Sequence, residues 1–253
     1  MNYKLDNKPI SDFGAVPLRG KGVLAVDGIF DLPKRIGQTE YDWGTHIEPF
    51  LTAEDIQLDG RTLSLNVAVK DEGNNVDLFV SACIACRVFS CDLDSFEVLC
   101  IDEIKVSKFG IYQTVDVRFR QSEFQLKPLS IAPSGNGRYK LDDFNLNKDF
   151  GIFISEAVDF KNIAKRIEVN TSETYLKTQY RGVNSIDVPC FLKGNSPMEL
   201  YDKIMQFWAL CMKPDKRQFT TPDFTKQIYV KDGARAEIIS KNILKFSLKI
   251  SYE

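Results

Sequence analysis

A chain of 253 residues with 43% apolar and 27% charged side chains has ordinary globular composition, long enough for one large domain or two of common size, and this excludes a disordered or fibrous class. The formal charge of -2 supplies no basic field to collect phosphates, which argues against nucleic-acid binding as the main activity. No run of about 18 apolar residues is present, and Met1 to Ile10 lacks an apolar stretch of signal-peptide type, so a soluble cytosolic product with six reduced cysteines is expected.

Asp59-Gly60 is a turn signal, and after it Leu63, Leu65, Val67 and Val69 alternate with Thr62, Ser64, Asn66 and Ala68, the period of a half-buried strand. Val80, Ile84, Val88 and Cys91 then recur at helical spacing and predict a helix near 76–91; the β-branched residues in this stretch leave a strand as the alternative. Phe96 to Val106 and Ile111 to Arg120 read as strands. Residues 127–147 concentrate Pro, Gly, Ser and Asn and read as a linker. Beyond it, Ser196-Pro197-Met198-Glu199 combines an N-cap serine, a proline at the first helical position and a capping-box glutamate. The helix it starts should run over 197–212, stop before Pro214 and carry Leu200, Ile204, Trp208 and Cys211 on one stripe. Lys226 to Lys231 and Ile243 to Tyr252 read as closing strands.

The order of these elements is stated twice. Asp12-Phe13-Gly14 recurs as Asp149-Phe150-Gly151, and Leu32-Pro33-Lys34-Arg35-Ile36 recurs as Ile163-Ala164-Lys165-Arg166-Ile167. The expected architecture is therefore α+β and mainly β: two similar sandwich or barrel units, 1–126 and 148–253, each with one packed helix. Like units present like edges, and like edges usually meet in closed symmetric assemblies.

Leu32-Pro33-Lys34-Arg35-Ile36-Gly37, Tyr41-Asp42-Trp43-Gly44, Glu48-Pro49-Phe50 and Leu58-Asp59-Gly60-Arg61, in this order before a strand, resemble the N-terminal domain of siphophage distal tail proteins, with Lys34 where that family usually has glycine. In the second half, Arg166-Ile167-Glu168 and the helical stretch Leu200 to Trp208 are similar in layout. The resemblance implies a fold like that of tail-tube proteins and a ring that joins the tail tube to the tail tip in a phage or prophage virion assembled in the host cytoplasm. It further implies self-association as a hexamer or pseudo-hexameric trimer, contacts with tail-tube and tip proteins, DNA only as passing cargo, and no membrane partner. Trp43, Tyr41 and Phe50 lie in an apparent loop and are candidate interface anchors.

The residues offer little for catalysis, and no enzyme activity or cofactor is expected. His46 is the sole histidine, which removes most nucleophile–histidine sets. Cys83, Cys86, Cys91 and Cys100 lack zinc-finger spacing and are read as structural thiols. Arg19-Gly20-Lys21-Gly22 departs from the phosphate-loop pattern. Asp92-Leu93-Asp94 lacks the later ligands of a calcium loop and reads as a polar turn between helix and strand. Asp102-Glu103 and Asp142-Asp143 are adjacent acids that strands would turn to opposite faces. A carbohydrate or cell-surface binding module using Trp43, Tyr41 and Phe50 is the alternative function, and a hydrolase with an unrecognised site is the third.

Overall fold

The computed structural model describes residues 1–18, 23–43, 46–155, 164–170, 175–181 and 184–252. It is mainly β with three α-helices, an α+β architecture built from several antiparallel sheets.

The first half contains β1 (Tyr3–Leu5), β2 (Lys8–Pro9), a 3-10 turn (Ile10–Phe13), β3 (Ala15–Pro17), β4 (Val26–Asp27), β5 (Glu40–Asp42), β6 (Ile47–Pro49), β7 (Arg61–Lys70), α1 (Asn75–Ala85), β8 (Val88–Cys91), β9 (Ser95–Glu97), β10 (Leu99–Phe109) and β11 (Tyr112–Gln121). One sheet runs β2-β1-β8-β9, a second β10-β11-β7-β3 with β4 also on β7, and β5 and β6 pair with each other. The faces of the first two sheets meet where Phe89 of β8 stacks on Phe119 of β11, ring centroids 5.5 Å apart. The alternation read from the sequence is what β7 does: Leu63, Leu65, Val67 and Val69 are all fully buried.

The second half contains β12 (Lys140–Leu141), β13 (Phe144–Asn145), α2 (Leu146–Phe150), β14 (Ile152–Ile154), β15 (Ala164–Asn170), β16 (Tyr175–Arg181), β17 (Asn184–Lys193), α3 (Pro197–Cys211), β18 (Arg217–Thr220), β19 (Thr225–Tyr229), β20 (Ala236–Ser240) and β21 (Ile243–Tyr252). Its pairings reproduce those of the first half. β1 pairs with β2 and β8, as β12 pairs with β13 and β18; β8 with β9 as β18 with β19; β7 with β3 and β11 as β17 with β14 and β21; β10 with β11 as β20 with β21. One difference is that β19 also pairs with β21, which joins eight of the second half's strands into one sheet, while β15 and β16 pair only with each other.

The repeated Asp-Phe-Gly triplets end equivalent helical turns. Gly14 (φ 65°) and Gly151 (φ 72°) are both left-handed, and their N–H groups return to Ser11 and Asn147 carbonyls. Each preceding phenylalanine packs edge-on against a helix: Phe13 on Phe79 of α1 at 5.9 Å, Phe150 on Phe207 of α3 at 5.6 Å. The other repeated anchor diverges. Lys165 to Ile167 lie in β15, whereas Lys34 to Ile36 form an irregular segment outside any strand.

Four expectations change. The first helix ends at Ala85 rather than Cys91, because Val88-Phe89-Ser90-Cys91 forms a strand between β1 and β9. Its buried side chains are Phe79 and Cys83, one residue off the expected stripe, and Ile84 is exposed. The linker is shorter than 127–147, since residues 140–147 fold as β12, β13 and the start of α2 around buried Leu141, Phe144 and Leu146. Asp92-Leu93-Asp94 turns between two strands, not between helix and strand. The second helix follows expectation: Ser196 Oγ accepts the Glu199 N–H at 3.2 Å, the Glu199 carboxylate accepts the Asn195 N–H at 2.8 Å, and Leu200, Ile204, Trp208 and Cys211 are buried.

Candidate functional site at the seam between the two units

The segment from Gly28 to Ile36 works as a strap, and nearly every residue in it is hydrogen-bonded to another part of the chain. Gly28 (φ 89°) turns out of β4 against the Thr62 carbonyl. The Phe30 carbonyl accepts Trp208 Nε1 of α3 at 2.9 Å, and its ring meets Tyr201 edge-on at 6.0 Å. Asp31 Oδ1 accepts the Ala236 N–H at 2.8 Å. Leu32 and Ala234 exchange two backbone bonds of 2.9 Å, an isolated antiparallel bridge. Arg35 N–H reaches the Lys231 carbonyl at 3.0 Å. Gly233 permits this approach, because a Cβ there would stand 2.6 Å from the Leu32 oxygen. Four residues of the strap, Phe30, Asp31, Leu32 and Arg35, therefore tie the first unit to the second, and the buried cores of both belong to one cluster.

Two buried arginines serve the strap, Arg61 from β7 beneath it and Arg35 from within it. Arg61 is 5% exposed; its Nη1 donates to the Ile29 carbonyl, its Nε to Gln121 Oε1 at 2.7 Å, and its guanidinium lies between the rings of Phe96 at 5.1 Å and Phe124 at 4.8 Å. Burial pulls its pKa down, against the opposing pull of Tyr201 and Asp31. Arg35 is 4% exposed; its Nη2 donates to the Phe50 and Asp55 carbonyls, while Nε and Nη1 have no hydrogen-bond partner.

An open cleft of about 360 Å³ lies at the seam, lined by Arg61, Asp94, Phe96, Phe124, Lys127 and Tyr201 among others. Asp94 is the acid at its centre, accepting the Tyr201 hydroxyl at 2.9 Å and pairing with Lys127 at 3.0 Å, while Lys127 also sits 4.7 Å over the Tyr201 ring. Burial raises the Asp94 pKa, but hydrogen bonds from Lys127, Ser95 and Tyr201 together hold it below the ordinary value. Asp94, read from sequence as part of a polar turn, is thus a joint between the units. Arg61 and Tyr201 gave no sequence signal of this role, since their partners lie far away along the chain.

Asp31 behaves oppositely. Burial raises its pKa above 3.8, outweighing the Ala236 N–H and the cations of Arg61 and Arg235. For an acid with a raised folded-state pKa, ionisation opposes folding, so its penalty is complete at neutral pH and fades as pH falls toward 3.8. Asp31→Asn keeps an oxygen for Ala236 and removes the buried charge. Urea midpoints should therefore favour the variant over the parent by more at pH 7 than at pH 4; an advantage that is equal at both values refutes the assignment.

The three sequence-derived anchors separate. Tyr41 and Trp43 lie together on the β5–β6 hairpin, ring centroids 4.7 Å apart and 44% and 57% exposed, with Trp43 Nε1 held by Glu48 at 2.8 Å and its ring stacked on His46 at 6.5 Å. Phe50 sits at the hairpin's base, half-buried, its carbonyl taken by Arg35. Cys83 ends inside the core, and Cys86, just past the helix, has its thiol pushed up by burial to about 11. Cys91 and Cys100 lie on β8 and β10. Among the described residues no three His, Cys, Asp or Glu side chains converge as metal ligands. Asp142 turns β12 into β13 and binds Arg217 at 3.0 Å, and Asp102 (φ 61°) sits in a β10 bulge near Arg118. Arg19 to Gly22 lie outside the described residues.

Neither protein-family models nor curated proteins nor solved structures match this chain.

Proposed function

We propose that this chain is a structural protein of a phage or prophage tail, a distal tail or baseplate ring component that joins the tail tube to the tail tip. The observation that carries the reading is the seam. Leu32 to Ile36, part of one of the motifs on which the resemblance to tail proteins rests, belongs to the strap that fastens two units of one pairing scheme together. A head-to-tail contact between like units is the kind that generates a ring when repeated between chains. β10 supports the reading with an 11-residue strand whose other edge pairs with no described strand. Its bulge and its Asp102, Glu103, Lys105 and Lys108 discourage indiscriminate edge pairing. Six-fold or pseudo-six-fold closure, tube and tip proteins as neighbours, and DNA as passing cargo complete the proposal.

Sedimentation and negative-stain electron microscopy of the purified chain test it. The expected result is a closed ring of defined mass; a monomer at every concentration, with and without tail-tube protein, refutes it. The exposed Tyr41–Trp43 pair favours a second reading, a carbohydrate-binding module, because paired aromatic faces stack on sugar rings. Glycan-array binding by a strictly monomeric chain, abolished by Trp43→Ala, would select that reading instead.

A further inference from the structure

α1 and α3 occupy matching places in the two units, yet only one of them is covered. Phe79 and Phe207 meet the phenylalanines of the repeated triplets in the same edge-on manner, and four residues later each helix has a buried cysteine, Cys83 and Cys211. In that register Leu78, Ser81 and Ile84 of α1 correspond to Gln206, Ala209 and Met212 of α3. On α3 this face is closed over: the chain leaving the first unit binds Gln206, through Pro128 O at 2.9 Å and Ser130 N–H at 2.6 Å, and Ala209 and Met212 are 9% and 5% exposed. On α1 the same face is open, with Leu78 53% and Ile84 62% exposed and Ser81 and Ala85 exposed beside them. Asp77 is the helix's sole charge. A short amphipathic helix with apolar residues on its solvent side reads as an interaction surface.

We infer that the open face of α1 is the docking surface for the second unit of another copy of this chain, which covers it as the first unit covers α3 within one chain. The occupant follows from the repeat: Phe30 and Asp94 of the first unit, together with the segment that leaves it, close over the second unit's helix at Trp208, Tyr201 and Gln206, so in a head-to-tail ring the neighbour that closes over the first unit's helix is the second unit of the next chain. Within-chain and between-chain seams then alternate around a ring. The inference rests on the ring reading above and adds which surface joins the chains and in which order.

Two measurements on the full chain test it. In the first, Leu78→Glu combined with Ile84→Glu is compared with the parent by sedimentation; both sites are exposed, so the variant should keep the parent's circular dichroism and melting temperature while losing assembly. In the second, a photo-reactive benzoylphenylalanine at position 84 should link two chains and map to residues 148–253. A double variant that assembles as the parent does, or a cross-link confined to the first unit, overturns the α1 inference and leaves the ring reading standing. A parent that stays monomeric overturns both. Should the double variant misfold, the cross-link decides alone.

Discussion

Replacing Trp208 by alanine should cost about 3–5 kcal/mol of folding stability, the range for truncating a large buried aromatic. Trp208 is fully buried, stands 5.4 Å from Phe207 and 5.2 Å from Phe246, and donates its indole N–H to the Phe30 carbonyl across the seam. The loss therefore has two parts that a second variant separates. Trp208→Phe keeps most of the buried ring but leaves the Phe30 oxygen without its donor, a defect of about 1–3 kcal/mol. Urea unfolding followed by far-ultraviolet circular dichroism gives both values. Because the side chain serves the second unit's core and the strap at once, Trp208→Ala should lower the midpoint for the whole chain in one transition. An alanine variant within about 1 kcal/mol of the parent would mean that the tryptophan neither fills the core nor holds the seam.

Much of the fold was legible where local chemistry and tertiary packing agree. β7 alternates along its length and β21 from Leu244 to Ile250, because one face of each lies on the core, and α3 announces its start through Ser196, Pro197 and Glu199. Legibility failed where two periods overlap. Val80, Ile84, Val88 and Cys91 keep helical spacing across a boundary that lies after Ala85, and nothing in the spacing itself marks where the chain extends. β17, the strand that pairs along its whole length with β21, went unread because Asn184, Asp187 and Pro189 disguise it. Pro189 is tolerated for a visible reason: its carbonyl takes the Ser155 N–H at 3.0 Å, so its nitrogen faces the same side, away from β21 and at the end of β14, and the proline forgoes one terminal bond there while its pairing with Ser247 of β21 is untouched.

The seam was the least legible part. Leu32, Asp31 and Phe30 find partners roughly 200 positions away through single bonds and an isolated bridge, and such contacts leave no periodic trace. The repetition of the Lys-Arg-Ile stretch and its place in the tail-protein resemblance hinted that the segment mattered, yet the two copies of the stretch adopt different structures. Tyr41 and Trp43 were legible as candidate exposed aromatics because the polar residues around them in the sequence, Asp42 and Glu48 among them, read as a loop; that Phe50 is half-buried, with its carbonyl held by Arg35, was not, since no local pattern specifies the burial of Arg35.

The strap also makes Gly28 the most sensitive to substitution among the described glycines. At φ 89° any other residue meets about 1–3 kcal/mol of backbone strain. A methyl group there would in addition run into the Thr62 carbonyl, which belongs to β7 and cannot move without breaking its pairing with β11. Gly37 is the matched control, with φ 76° but nothing within 4 Å of an added Cβ. Gly37→Ala should lose the strain alone. Gly28→Ala should lose that and more, because relieving the clash lifts the start of the strap off β7 and pulls Phe30, Asp31 and Leu32 away from Trp208, Ala236 and Ala234. Expected readouts are a lower urea midpoint than Gly37→Ala and faster proteolytic cleavage between residues 28 and 36. Equal midpoints for the two alanine variants would show that the Thr62 carbonyl yields, and that the strap is not held against β7 by the absence of a side chain at Gly28.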